Sequence, residues 1–288
     1  MKSIVVTGGS GKAGRAMIKE LIEHGYAVMN VDVAPPSQPL CHFFKADLTD
    51  MGQAVEAVRR AAGTIDRRRS PLGESQAIVH LAGIPAPSLA SDAVTFQNNL
   101  MSTYNIFSAA TLFGLKRVVW ASSETAYGLP LTREAPKIAP ITEDHPLVPE
   151  TGYALAKVLC EQMARWNPGT SFVGLRISNI FEPPEYAAIP SFWDDPALRQ
   201  WNLWSWVDAR DVAQACRLAL EADIQGAEQF TIAAADTLMR EPSTALMTKA
   251  FPGVPVEPGI GEFETLLSID KARRVLGYQP KHTWRGRL

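Results

Sequence analysis

Hydrophobic positions follow two alternating patterns along the 288-residue chain. Short apolar runs recur at Ile4-Val5-Val6, Ala27-Val28-Met29-Asn30-Val31, His42-Phe43-Phe44-Lys45-Ala46, Ala77-Ile78-Val79-His80-Leu81 and Val118-Val119-Trp120-Ala121. Runs of this length with little polar alternation read as strands covered on both faces, as in a parallel sheet. Between them, apolar residues return at helical spacing. Ala16, Met17, Ile18, Leu21 and Ile22 do so within residues 15–24, and residues 51–62 repeat the pattern. Val94, Phe96, Leu100, Tyr104, Phe107 and Leu112 predict a long helix over residues 93–113 with these side chains as its buried stripe. Another helix begins at Tyr153 and runs through Leu159, Met163 and Trp166. Strands alternating with helices predict an α/β fold, a doubly wound parallel sheet. Residues 63–75 are polar and turn-rich and read as a surface excursion.

The first strand runs into Thr7-Gly8-Gly9-Ser10-Gly11-Lys12-Ala13-Gly14, and a helix follows at once. In this context each glycine has a physical task. Gly8 permits a tight turn, Gly11 lets backbone approach a pyrophosphate, and Gly14 lets the helix pack closely on the strand. The free N–H groups of the new helix face the phosphates. The second strand ends at Asp32, whose carboxylate can accept both hydroxyls of an adenosine ribose and would repel a 2′-phosphate, which favours NAD over NADP. Asp47-Leu48 either sets a side chain beside the adenine or caps the helix that follows. The small residues Ala82-Gly83 let a cofactor lie against the end of the fourth strand, and Asn98 and Asn99 are unusual inside a helix.

The fifth strand ends in Ser122-Ser123-Glu124-Thr125-Ala126-Tyr127-Gly128. Ligands of doubly wound sheets bind at the carboxyl ends of the strands, so these hydroxyls are well placed. Downstream, Tyr153 and Lys157 stand four residues apart on a helix and share a face. A neighbouring ammonium favours phenolate and lowers the tyrosine pKa, so Tyr153 can exchange a proton with a substrate hydroxyl or carbonyl.

Composition narrows the functional classes. Hydrophobic residues make up 46% and charged residues 20%, and the net charge is −2, which leaves no electrostatic case for nucleic acid or an anionic membrane. The basic run Arg67-Arg68-Arg69 reads as a solvated loop. No apolar stretch has the length of a membrane span, and the chain enters a strand too early for a signal peptide. Cys41, Cys160 and Cys216 are odd in number and widely spaced, as reduced core cysteines are, and no metal is expected. A cytoplasmic location follows. Four of the seven tryptophans, Trp193, Trp201, Trp204 and Trp206, fall between residues 190 and 207. They either pack parts of the fold together, or one or two of them line a binding cavity.

Taken together, Thr7 to Gly14, Asp32, Asp47-Leu48, His80-Leu81-Ala82-Gly83, Asn98-Asn99, Ser122-Ser123, Tyr127-Gly128 and Tyr153 with Lys157 resemble an extended short-chain dehydrogenase/reductase of the NAD-dependent epimerase/dehydratase group. Leu175 to Phe181 and Trp206 to Val212 extend the likeness, which covers residues 1 to about 280. It implies a Rossmann domain over residues 1–176, with 177–288 completing the sheet and forming a small C-terminal substrate lobe. It also implies NAD as cofactor and a homodimer through the helices at 93–113 and 153–166. Cofactor contacts would come from Gly8, Ser10, Gly11, Lys12, Ala13, Gly14, Asp32, Asp47 and Leu48. Leu81, Ala82, Gly83, Asn99, Ala121, Tyr153, Lys157 and Ile177 would complete them. Tyr153 would be the acid/base, Lys157 its pKa partner, and Ser123 the holder of the substrate oxygen. Thr125, Asn179 and Trp193 would be further substrate contacts. Glu182-Pro183-Pro184 replaces the usual Gly-Pro and is similar to the uronate dehydrogenase-like branch, but Ala187 stands where that branch carries an arginine. The expectation is therefore oxidation or reduction of a small sugar-like molecule, with nucleotide-sugar epimerisation as the alternative.

Overall fold

The computed structural model describes residues 3–62, 75–166 and 169–287; the predicted excursion at 63–75 and its arginine run fall almost wholly outside them. Seven strands form one parallel sheet in the order β3-β2-β1-β4-β5-β6-β9. They are β1 (Ser3–Thr7), β2 (Ala27–Asp32), β3 (His42–Lys45), β4 (Ser75–His80), β5 (Arg117–Ser123), β6 (Ser171–Ile177) and β9 (Ala227–Ile232). Strand order reverses between β1 and β4, and a crevice opens at their C-terminal ends. The register carries that edge across the sheet: Thr7 pairs with Val31 and His80, His80 with Trp120, and Ser123 with Ile177. The sequence motifs at the ends of five strands therefore share one edge.

The continuous apolar runs are explained by two cores, one on each face. Ile4, Val6, Val79, Val119 and Val173 pack beneath α1 (Lys12–Glu23), α5 (Ala209–Glu221) and α7 (Asp270–Leu276). Their sequence neighbours Val5, Ile78, Val118, Trp120 and Phe172 point the other way, toward α2 (Met51–Ala62), α3 (Asp92–Leu112) and α4 (Gly152–Arg165). Alternation along each strand thus distributes large side chains to both layers.

Helix α3 departs from its predicted orientation. Val94, Tyr104 and Leu112 are 53%, 50% and 67% exposed, whereas Thr95, Asn99, Ser102, Thr103 and Asn105 are buried with Ile106 and Phe107. The polar side chains turn inward because distant loops supply their partners. Asn105 Nδ2 donates to the carbonyls of Leu48 (2.9 Å) and Thr49 (3.0 Å).

A lobe sits above the C-terminal edge. Its core combines Tyr127, Leu129, Ala139 and Ile141 with Leu203, Trp204, Met247, from α6 (Ser243–Ala250), and Leu266. A second cluster joins Phe181, Tyr186, Trp206 and Trp284, and β7 (Ile180–Phe181) pairs in parallel with β8 (Val207–Asp208) beside it. The lobe therefore draws on residues 127–141 as well as on the chain after 177. Trp204 and Trp206 are fully buried in it.

A buried ion pair ties α4 to β6. Glu161 Oε2 accepts from Arg176 Nη2 at 2.7 Å, and Oε1 accepts from Arg176 Nε at 2.9 Å and Ser122 Oγ at 2.7 Å. Removing one partner strands the other charge away from water. Glu161→Leu is expected to lower unfolding free energy by about 3–5 kcal/mol in urea titration; a loss below about 1 kcal/mol would show that the pair is not essential to the fold.

Candidate active site

The glycine turn is built by close contact. Gly8 has φ +70°, and a Cβ there would stand 2.6 Å from the Ala82 nitrogen. At Gly14 a Cβ would stand 2.1 Å from the Gly8 carbonyl oxygen, so no side chain fits between helix and turn. Gly11 differs: a Cβ would meet only the Gly8 oxygen, at 3.3 Å, and the side away from it is open. Gly11 is also the N-cap of α1, with no side-chain cap and no acidic residue in the first turn. Helix N–H groups without acceptors, above an open glycine, suit a pyrophosphate. Ser10 and Asp32 are joined, the Ser10 backbone N–H donating to Asp32 Oδ2 at 3.0 Å. Asp32 Oδ1 accepts from the Ala34 N–H at 3.3 Å. Each carboxylate oxygen keeps a further lone pair at the strand end, where ribose hydroxyls can donate. These residues can hold a dinucleotide.

The Lys12 side chain is engaged elsewhere. Its Nζ donates to the Ile180 carbonyl at 3.0 Å and to Glu185 at 2.7 Å, while Arg15 pairs with Glu182 at 2.9 Å. Lys12 can offer a phosphate its backbone N–H, but its ammonium ties the turn to the lobe. Asn99 is committed too: Oδ1 accepts from the Ile84 N–H (2.7 Å) and Nδ2 donates to the Ile84 carbonyl (3.0 Å). It shapes the loop after Gly83, and Lys157 is not among its hydrogen-bond partners. Asp47 Oδ1 organises its own turn by accepting from the Thr49 N–H and hydroxyl, Leu48 is buried, and Asp50 caps α2 by accepting from the Gln53 N–H.

Ser123 ends β5 and caps a short 3-10 helix, Glu124–Tyr127. Its Oγ accepts from the Thr125 N–H at 3.2 Å and hydroxyl at 3.0 Å, which brings two predicted hydroxyls together. Helix α4 starts at the Thr151 cap, whose side chain accepts from the Ala154 N–H, and Asp92 holds the Gly152 N–H. One turn separates Tyr153 from Lys157, and both are buried on the face toward β5. Lys157 Nζ donates to the Ala121 carbonyl at 2.6 Å and lies 5.6 Å from the centre of the Tyr153 ring. Ile177 closes the edge as the last residue of β6.

The electrostatics correct one expectation. Burial pushes the Tyr153 phenol up to about 12, with the Ser123 hydroxyl opposing and the nearby Glu124 adding to the rise. Lys157 does not offset this, because its ammonium is aimed at the Ala121 carbonyl and burial lowers its own pKa. Desolvation outweighs the expected charge effect within the chain's own field.

Of the remaining substrate candidates, Asn179 accepts from Arg199 Nη2 at 2.9 Å through its side chain. Trp193 is turned into the lobe, where its indole N–H donates to the Leu238 carbonyl at 3.0 Å and its ring packs on Trp284. Two residues at the site were not anticipated, Glu124 and Asn202; both are buried, as is Arg199. Asn202 Nδ2 donates to Glu124 Oε1 at 3.2 Å. The signal for Glu124 was an acidic residue set among hydroxyls at the end of an apolar strand. A cavity of about 450 Å³ lies at the opposite edge of the sheet, among Lys116, Arg165 and Gly226, far from these groups. Among the described residues no group of His, Cys, Asp and Glu is arranged to hold a metal, and no helix is long and apolar enough to cross a membrane.

Comparison with known proteins follows this geometry. The model of the NAD dependent epimerase/dehydratase family matches residues 4–233. A UDP-glucose 4-epimerase of Bacillus subtilis is 32% identical over 177 residues, covering 57% of this chain and 47% of that protein. The chain thus matches about half the length of this relative. A short-chain dehydrogenase/reductase superfamily structure from Agrobacterium tumefaciens with bound NAD has a TM-score of 0.69 at 23% identity, covering 98% of this chain and 93% of that one. A mutated uronate dehydrogenase has a TM-score of 0.67 at 21% identity, covering 98% and 82%. These two structures share the fold.

Burial also raises the Glu124 carboxyl from 4.5 to about 7. A raised carboxyl pKa stabilises the fold fully below the unfolded value, and that contribution is lost as pH rises through 7. Glu124→Gln is expected to match the parent in melting temperature at pH 4 and exceed it at pH 8. The shift from 4.5 to about 7 caps the gain at about 3 kcal/mol; equal curves at both values would refute the assignment.

Proposed function

The chain belongs to the NAD-dependent epimerase/dehydratase family, and on that premise we propose that it is an NAD(H)-dependent oxidoreductase acting on a hydroxyl or carbonyl of a small sugar-like substrate. The observation that carries this reading is the meeting of Ser123, Tyr153 and Lys157 at the edge of the sheet that also bears the glycine turn. The N–H groups following Gly11 would hold the pyrophosphate of NAD, and Asp32 the adenosine ribose. When bound, NAD supplies the hydride acceptor and a positive ring charge. The chain's own residues do the rest. Ser123 Oγ holds the substrate oxygen, with Thr125 fixing the direction of that hydroxyl. Tyr153 takes the proton of the substrate hydroxyl during oxidation and returns it during reduction. Lys157 holds its ammonium on the Ala121 carbonyl one turn from the phenol, and the positive ring charge of bound NAD would favour phenolate against the burial penalty.

The aromatic core of the lobe supports a small substrate. Trp204, Trp206 and Trp284 fill the space over the edge with their own side chains and spend their N–H groups on backbone carbonyls. Epimerisation of a nucleotide sugar is the second reading, favoured by the likeness to the Bacillus subtilis epimerase. The two readings separate by absorbance at the NADH band with NAD⁺ and a panel of free aldoses, uronic acids, polyols and nucleotide sugars. A steady rise with a free sugar is expected. Stereochemical conversion of a nucleotide sugar without any rise would replace this reading by the epimerase. Tyr153→Phe is expected to lower kcat by about 10²–10⁴-fold while calorimetry shows NAD binding retained; full turnover in that variant would remove Tyr153 from proton transfer.

The chain is also read as a homodimer. Val94, Met101, Tyr104 and Leu112 of α3 and Leu155, Leu159 and Trp166 along α4 form an exposed apolar face at helical spacing, Trp166 being 85% exposed. A face of this kind suits a second copy of itself. Light scattering is expected to give twice the chain mass, falling to one chain in Leu159→Glu; a monomer for the parent chain would contradict the reading.

A further inference from the structure

Glu124 follows Ser123 directly, and its side chain is almost completely enclosed, the residue being 3% exposed. Oε1 accepts from Asn202, but Oε2 has no hydrogen-bond partner among the described residues. Ser178 and the Asn179 backbone ease its charge without closing a well-formed bond to that oxygen. The ionisable groups that face it are Tyr153 from α4 and Arg199 from the 3-10 helix Pro196–Asn202. Arg199 is boxed by the rings of Phe181, Phe192 and Trp201 and donates from Nη2 to Asn179 Oδ1 and the Ser205 carbonyl. Its Nε has no partner, and neither has Asn202 Oδ1. Buried polar atoms are normally paired. Here two acceptors and one donor stand unpaired on three associated residues, of which Glu124 follows Ser123 in the chain and acts electrostatically on the Tyr153 phenol.

This arrangement complements a ring that carries several hydroxyls, each able to donate and to accept. A substrate carboxylate meets the opposite situation, since two carboxylates in a dry site repel strongly. On the reading given under Proposed function, we infer that Glu124 sets the charge class of the substrate: the site takes a neutral polyhydroxylated sugar, one hydroxyl of which donates to Glu124, and rejects the matching uronate. The selectivity has a direction with pH. The burial-raised carboxyl titrates near 7, so above that value Glu124 is an anion and the uronate is turned away. Below it Glu124 is neutral, Arg199 is the dominant charge facing the ligand, and the uronate penalty falls.

The test measures binding, so it does not depend on turnover. NADH fluorescence would be titrated with D-glucose against D-glucuronate and D-galactose against D-galacturonate at pH 5.5 and 8.5. For the parent protein the ratio of uronate Kd to aldose Kd is expected to rise at least tenfold between the two pH values. In Glu124→Gln the ratio should be flat, and in Glu124→Asp, which keeps the charge, it should still rise. A flat ratio in the parent, an equal rise in Glu124→Gln, or preference for the uronate at pH 8.5 would overturn the inference. The parent ratio stands as a test even if a variant fails to fold. Failure of the functional reading looks different: NADH binds, and none of the four sugars does at either pH, which removes the inference together with the free-sugar assignment.

Discussion

The buried contact between Glu161 and Arg176 is the constraint on which the geometry of the edge depends. It joins the helix that carries Tyr153 and Lys157 to the strand beside β5, and through Ser122 it reaches the residue just before Ser123. Two charges away from water are tolerable only when their hydrogen-bonding capacity is met. Glu161 receives three donors from two residues, and Arg176 also donates to the Glu143 carbonyl and lies 4.7 Å from the centre of the Tyr127 ring. A neutral apolar contact would hold α4 against the sheet but would not fix its rotation or its height. The ion pair does so, because each of its bonds has a direction. The helical period then sets Tyr153 and Lys157 opposite Ala121 and Ser123.

The other half of the edge is held by backbone proximity and by polar side chains of α3. Gly8 and Gly14 let the turn close on the end of β4. Thr7, His80 and Thr103 form a buried chain from β1 through β4 to α3, with contacts of 2.7 and 3.2 Å. Burial and the nearby Lys157 drive the His80 pKa down to about 3, so this imidazole is a neutral strut. Asn99 and Asn105 extend the same device to the loops after β4 and β3. The inner face of α3 carries polar residues that anchor loops beside the buried Ile106 and Phe107, while Val94, Tyr104 and Leu112 lie outside.

The lobe connects to this frame by charge and by aromatic packing. Lys12 and Arg15 at the start of α1 pair with Glu185 and Glu182, so the turn that would hold phosphates is linked to the segment that roofs the site. The tryptophans behind that segment are buried as core residues, and Arg199 is held among rings where its guanidinium can face Glu124. The departure of Glu182-Pro183-Pro184 from the family pattern thus has a local use: Glu182 and Glu185 together form the capping box of the following 3-10 helix.

Much of this was legible in the amino-acid order. Unbroken apolar runs specified the parallel sheet, and the glycine spacing specified the turn at Gly8 to Gly14. The four-residue step from Tyr153 to Lys157 specified a shared face. Each follows from backbone geometry acting over a few residues, which tertiary context seldom overrules. The buried side of α3, the capture of the Lys12 ammonium by a residue 173 positions away, the contribution of residues 127–141 to the lobe and the enclosure of Glu124 were settled only in three dimensions. In each case the outcome turns on which distant group arrives to pair a polar atom or to exclude water from it. Hydrophobic periodicity records neither. The sequence by itself determined the scaffold and the identity of the hydroxyls and the ammonium along its edge; the tertiary structure decided their solvation, and with it the charge each of them carries.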